Sequence, residues 1–585
     1  IRGATTSVEV VNPDVAIVLE SDIAGDVPGI ESEESDIKLG AGPSMLVYDA
    51  RMIPNLRLRD LVIETAEELE IPLQLSTMLA GATDGGAIHL HRAGVPTVVI
   101  SVPARHIHSH NSIIHRADYD QALALDPGDA AAYHRRALAR HAQGDQAAAL
   151  LDSDQALSLL ASGSASAALQ GASEADILTD RGRIHADRQD LRAAISDYDQ
   201  AIVLDPQHTQ AHLNRGIARA KLGDLGAAVA DFDQVIAWEP LNADAFYQRG
   251  LAQTKQDRPA QAIASLGQAI ALYPGDQQRA RAYNHRALAC LEQNEPVAAM
   301  ADFDRAVELD PRYGEAYHNR GRARFLDGDM DGAIADYDRA IACEPRNHAS
   351  YTSRGLVRYE QGNLDAAVAD YSQAIALNPH YAPAFYNRGV ARSELGALEA
   401  AITDYTRAAV HYQDGADKAM AYNNRGNARS AAGDLEEAVS DYTKAIALNP
   451  SDATIYYNRG NARKAMGHPK LAMADYDQAL VLAPEDATTY NNRGNARYSL
   501  GDIPGAVDDY GQAIALLDEG LEKATAYNNR GLAFAERGEL SAAIADYDQA
   551  IALLPDGPER ATVYNNRGLA RKAQDDLEAA IADYD

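Results

Sequence analysis

A chain of 585 residues is longer than one hydrophobic core supports, so several domains or a repeat array are expected. Its 46% apolar content excludes a disordered chain, and its formal net charge of −32 argues against nucleic acid or an anionic membrane surface as a main partner, since both need clustered Lys and Arg. No apolar run reaches membrane-span length and no signal peptide is read, so a cytoplasmic location is expected.

In chain order, Val15 to Glu20 reads as a buried strand, and Lys38 to Tyr48, with Gly40 and Gly42, as another. Asn55 to Glu70 has helical periodicity through Leu56, Leu58, Leu61, Val62 and Ala66. Leu73 to Met78 and Thr97 to Val102 are strand-like, and Thr83 to His91 is a short helix after Gly81. Strands alternating with helices imply an α/β sheet. Glu20, Asp22 and Asp26 follow one strand; Arg105, His106, His108 and His110 follow another. Carboxylate and imidazole at strand ends suit a zinc-like ion, and the alternative is a plain surface cluster.

Six stretches of this segment, taken in order, resemble the tetrahedral aminopeptidases, cytosolic exopeptidases related to glutamyl aminopeptidases. They are Ile17 to Glu20 with Asp22 to Gly29, Leu39 to Pro43, Gly81 to Ile88, Gly94 to Thr97 and Pro103 to Ser109. The resemblance implies two divalent metal ions, zinc or cobalt, with a water between them activated for attack on the first peptide bond. Glu20 and His108 match two of the metal ligands; Asp22 and Asp26 match none and would stand beside them. That family also uses an earlier His, a bridging Asp and a Glu-Glu pair, and Ile1-Arg2-Gly3-Ala4 looks like the stretch just past that pair. No catalytic residue is therefore assigned, and neither retained metal, nor the family's large homo-oligomers, nor aminopeptidase activity is expected of this chain alone. The alternative is a cytosolic dinuclear-metal aminopeptidase whose repeats recruit substrate or partners, with the rest of its active site outside this chain.

The peptidase-like match runs to about Ile114-His115-Arg116, so residues 1–117 form a partial α/β domain. Ala117 to Ala122 already reads as the second helix of a repeat, ending at Pro127. Residues 118–160 are the first, incomplete units, 161–175 an Ala/Ser/Gly-rich loop, and 176–585 further repeats, the last one cut at Asp585. Two readings of the join stay open: a natural fusion sharing one helix, or two unrelated genes joined in sequence assembly.

The repeat is carried by Arg followed by Gly or Ala, with the small residue at 137, 182, 216, 250, 287, 321, 355, 389, 426, 460, 494, 531 and 568. Most spacings are 34 and several are 37. In the unit Ala453 to Pro484, Tyr456 and Tyr457 open a first helix, Gly460 and Ala472 allow close approach, Gly467 marks the turn, Tyr476 and Ala479 share a face, and Pro484 stops the second helix. These offsets resemble the tetratricopeptide repeat. The resemblance implies a mainly α fold, a tetratricopeptide superhelix (α-solenoid), preceded by the partial α/β metallopeptidase-like sheet domain. Cys290 and Cys343 fall in different repeats, with no metal spacing and no disulfide framework, and both read as small buried apolar residues.

This chain departs from the usual repeat in informative ways. Every unit has Arg where the family usually has Leu, nine have a second Arg four residues later, and twelve of thirteen carry Asp sixteen residues after the first Arg, Ser265 being the exception. A guanidinium fork suits a carboxylate, so Arg and Asp are expected to pair between the two helices of a hairpin or between neighbours; the alternative is that each faces water separately. Asn precedes that Arg in eight units: Asn214, Asn319, Asn387, Asn424, Asn458, Asn492, Asn529 and Asn566. An amide can match a peptide group in both senses. The resemblance implies that such an asparagine row holds extended peptides, so proteins or peptides are the expected partners. The alternative is that these residues cap or bridge neighbouring helices.

Overall fold

A computed structural model describes residues 16–23, 44–48, 74–77, 97–104, 119–120, 123–124, 126–163 and 173–585. The chain divides into two compact units, Ile1–Asp302 and Phe303–Asp585, a division set by contacts and distinct from the change of composition near residue 117.

Four strands lie in the first unit: β1 (Ala16–Ile23), β2 (Ser44–Tyr48), β3 (Gln74–Thr77) and β4 (Thr97–Ala104). Their order is β1-β4-β2-β3; β1 runs parallel to β4 and β2 parallel to β3, while β2 and β4 are antiparallel. Expected and observed strands coincide in place but differ at their ends. Glu20 and Asp22 were expected to follow the first strand, yet both lie within β1, opposite Ser101 and Pro103. Pairing with β4 continues rung by rung to Ala104 and carries the extended backbone past the first acid. The expected helices Asn55–Glu70 and Thr83–His91 fall outside the described residues.

The rest is helical. Among the described residues 26 helices run from α1 (Ala130–Ala142) to α26 (Leu577–Tyr584), pairing in sequence as thirteen hairpins. The loop expected at 161–175 is shorter at its far end, because Ser173 caps the third helix, Glu174–Asp187, in a capping box with Asp176. The hairpin of α19 (Ala453–Ala465) and α20 (Pro469–Leu482) shows why these residues fold this way. The Asp452 carboxylate accepts from Thr454 N–H at the start of α19. Gly467 turns the chain at φ +79°, a left-handed conformation that favours glycine, and Pro469 opens α20. Tyr476 is fully buried against Gly460, where an added Cβ would lie 2.6 Å from its ring. Six other tyrosines buried to the same degree, Tyr198, Tyr337, Tyr371, Tyr442, Tyr510 and Tyr547, repeat this position through the array. Burial pushes the Tyr337 and Tyr405 hydroxyls up to about 12.

The expected Arg–Asp pairing is present in every unit that has the Asp. Each first Arg forks onto the Asp of its own hairpin, as Arg320 does with Nε to Asp336 Oδ2 at 2.9 Å and Nη2 to Oδ1 at 2.5 Å. The set also includes Arg136–Asp152, Arg181–Asp197, Arg388–Asp404 and Arg567–Asp583. The remaining Nη1 reaches back to the second helix of the preceding hairpin in ten of thirteen units, for example Arg215 to Asp199 at 2.6 Å and Arg493 to Asp477 at 2.7 Å, and in the first unit to Asp120, ahead of α1. The two exceptions, Arg286 and Arg530, face Gly267 and Gly511, which offer no side chain to bond. One guanidinium thus ties three helices. Burial alone would lower the Arg493 pKa, but the bonds to Asp509 and Asp477 hold it above its ordinary value.

Cys290 is buried, and burial pushes its thiol pKa up. Cys343 is half-buried rather than buried, because it closes the helix Met330–Cys343 with its Sγ 3.8 Å from the Pro311 carbonyl.

Candidate functional site

Within each unit, first helices touch the first helices of neighbouring hairpins more closely than second helices touch second helices. The first helices therefore form the tighter wall, and the asparagine row lies along it. All eight row residues are half-buried. In the first unit, Asn214 accepts from Gln210 Nε2 at 2.9 Å, within its own helix.

From Tyr386 to Asn566, in the second unit, successive hairpins are bridged along the row. Asn424 Nδ2 donates to the Tyr386 hydroxyl at 2.9 Å, Asn458 Nδ2 to Asn423 Oδ1 at 3.1 Å, and Asn492 Nδ2 to the Tyr457 hydroxyl at 2.9 Å. Asn529 Nδ2 donates to Asn491 Oδ1 at 3.1 Å, and Asn566 Nδ2 to Asn528 Oδ1 at 2.9 Å. Five of the eight residues thus bridge neighbouring first helices. Bridging and ligand binding, two alternatives in the sequence, become compatible, because each bridge uses one end of an amide.

Sequence reasoning missed the partners in this row: Tyr386, Asn423, Tyr457, Asn491 and Asn528. It also missed Asn427, Asn461 and Asn495, whose Oδ1 atoms accept from the buried Tyr442, Tyr476 and Tyr510 hydroxyls at 2.8, 2.7 and 2.8 Å. The signals are the Asn-Asn doublets, beginning at 423, 491, 528 and 565, and the string Gly-Asn-Ala-Arg, beginning at 426, 460 and 494. Leu532 and Leu569 stand three residues after Asn529 and Asn566 on the same helical face and are 36% and 53% exposed.

The expected metal ligands are not brought together among the described residues. Glu20 lies in β1, and His108 falls outside them, as do Asp26, Arg105, His106 and His110. No group of three or more His, Cys, Asp or Glu able to hold a metal gathers among the described residues, so no chemical step is derived through one.

Thirteen hairpins with small residues at the crossing, eleven of them with an aromatic packed there, define a helical-repeat protein, with a distinct α/β stretch before it. Family models agree: tetratricopeptide repeat models match 181–245, 219–277, 247–314, 298–348, 355–396, 426–467, 457–516 and 491–558, and the M42 glutamyl aminopeptidase model matches 1–125. The chain is a tetratricopeptide-repeat array joined to a stretch of the M42 glutamyl aminopeptidase family. FrvX of Escherichia coli is 43% identical over 128 residues, covering 22% of this chain and 36% of that protein. A TET aminopeptidase structure from a marine sediment thaumarchaeon is 53% identical, covering 21% of this chain and 35% of that one, with a TM-score of 0.21. The structure of MamA is 27% identical, covering 28% of this chain and 94% of that one, with a TM-score of 0.26. The chain spans about a third of the length of the peptidase relatives it matches. Among the described residues no helix is long and apolar enough to cross a membrane.

Proposed function

We propose that the array is a protein-interaction scaffold that binds extended polypeptide segments along the first-helix wall of its second unit, through the ligand's main chain. The observation that carries this reading is the continuous row of amides from Tyr386 to Asn566. Side-chain amides complement peptide groups whatever residues the ligand carries, so sequence-tolerant binding follows. The test is capture from a random twelve-residue displayed peptide library by the whole chain. Wild type is expected to enrich peptides, and a variant with Asn458→Ala and Asn492→Ala to bind them about tenfold more weakly, given about 0.5–1.5 kcal/mol for each hydrogen bond lost. Equal capture by the variant would remove the row from the mechanism.

For the first segment, 43% identity to FrvX supports descent from a peptidase domain. We propose that this polypeptide alone does not release N-terminal residues, since only Glu20 and His108 match the ligands of a dinuclear centre and no base is assigned. Metal-dependent release of N-terminal residues from a peptide by the purified chain, abolished by Glu20→Ala, would overturn this.

A further inference from the structure

The five bridges from Tyr386 to Asn566 run in one sense: a side chain donates to the hairpin before it. This polarity determines which amide atoms remain open. In the doublets Asn491-Asn492 and Asn528-Asn529, the second residue uses its Nδ2 on the preceding hairpin, to Tyr457 and Asn491 respectively. The first residue uses its Oδ1 to accept from the following hairpin, from Asn529 and Asn566. Each doublet keeps one donor, Nδ2 of the first Asn, and one acceptor, Oδ1 of the second. None of these atoms is among the buried side-chain atoms that lack a partner, so they are open to water.

A residue of an extended chain likewise presents one N–H and one carbonyl oxygen, both to the same side. We propose that each of these two doublets holds one residue of an extended segment, with Nδ2 of Asn491 or Asn528 donating to its carbonyl and Oδ1 of Asn492 or Asn529 accepting from its N–H. The proposal rests on the reading that this wall binds polypeptide. It adds Asn491 and Asn528 as the donors and splits recognition between two side chains. The inter-hairpin bridges fix both amides before a ligand arrives, so little ordering remains to oppose binding. Packed helices lie about 8–10 Å apart and an extended chain advances about 3.3 Å per residue, so successive doublets meet residues about three positions apart. Leu532 and Leu569 continue the face beyond the doublets, so a segment with an apolar side chain at that end is favoured over a charged one.

Two isosteric variants of the whole chain separate donor from acceptor. Asn491→Asp with Asn528→Asp keeps the oxygens that accept from Asn529 and Asn566 but removes the open NH2 groups. Asn492→Asp with Asn529→Asp keeps the open acceptors but removes the donations to Tyr457 and Asn491. The probe is the set of twelve-residue peptides enriched by wild type. The first variant is expected to melt like wild type and bind at least about tenfold more weakly. The second is expected to melt lower and lose less affinity than the first. If the first variant binds as wild type does, or the second loses more affinity than the first, the donor and acceptor assignment is overturned while the wider reading stands. If wild type enriches no peptide, both fall.

Discussion

Asp441→Ala is expected to destabilise the hairpin of α17 (Ala416–Ala432) and α18 (Leu435–Leu448) by about 3–5 kcal/mol, the loss typical of removing one partner from a buried ion set. Asp441 is 0% exposed. It accepts from Arg425 Nε at 2.7 Å and Nη2 at 2.5 Å, and from Arg429 Nη1 at 2.6 Å. Without it two guanidinium groups, four residues apart on α17, point at α18 with no carboxylate to receive them. Stability in a repeat array is nearly a sum of hairpin and nearest-neighbour contributions, so the loss is expected as faster hydrogen exchange in α17, α18 and the helices they touch. Asp556→Ala is the control: its carboxylate, 98% exposed, pairs with Arg560, and such pairs contribute at most about 1 kcal/mol. If exchange in the two variants rises equally, the buried set does not hold the hairpin together. The chain already carries one altered version. Where Ser265 replaces the Asp, Gln253 replaces the second Arg, and Ser265 Oγ bonds Arg249 Nε at 3.1 Å and Gln253 Oε1 at 2.7 Å. Asp441→Ser is therefore expected to recover part of its loss when Arg429→Gln is added.

What could be read from the amino acids depends on how local the physics is. The Arg and Asp sixteen apart pair inside one hairpin, so period and chemistry suffice to predict them, and Arg320–Asp336 is one outcome. The reach of the same Arg to the preceding hairpin was missed, although the Asp-Tyr-Asp strings at 197–199, 336–338 and 546–548 carry it: the first Asp serves its own hairpin and the second the next. The direction of the asparagine bridges was not legible. Whether Asn529 donates or accepts depends on Asn491, 38 residues away, and on which end of each amide the neighbouring hairpin meets. At the sheet, composition located four strands but not their ends, because β1 is prolonged past Glu20 by its pairing with β4 rather than by its own residues. Cys343 reads as apolar by type, and only its place at a helix end leaves it half-exposed.

Gly460→Ala is expected to destabilise its hairpin although alanine is the better helix former. A mid-helix glycine costs about 1 kcal/mol relative to alanine, so its presence at eleven of the thirteen crossings needs a packing reason. At Gly460 the reason is steric: an added Cβ would stand 2.6 Å from Tyr476 Cε1, and the ring, 0% exposed and bonded through its hydroxyl to Asn461, has nowhere to withdraw. Overpacking of this kind costs about 1–3 kcal/mol, while Tyr476→Ala, which leaves a cavity instead, is expected to cost about 3–5 kcal/mol. The first hairpin shows a different solution for the same space. There Ala137 takes the glycine position and Ser153, fully buried with its Oγ bonded to the Ala149 carbonyl at 3.1 Å, takes the aromatic position. Gly460→Ala combined with Tyr476→Ser should therefore cost less than the two single changes added together, and a double-mutant cycle followed by chemical denaturation measures the difference. Strict additivity would mean that the crossing does not couple the two residues. The small residue and the ring would then be independent choices, and the recurrence of Gly with an aromatic sixteen residues later would need another cause.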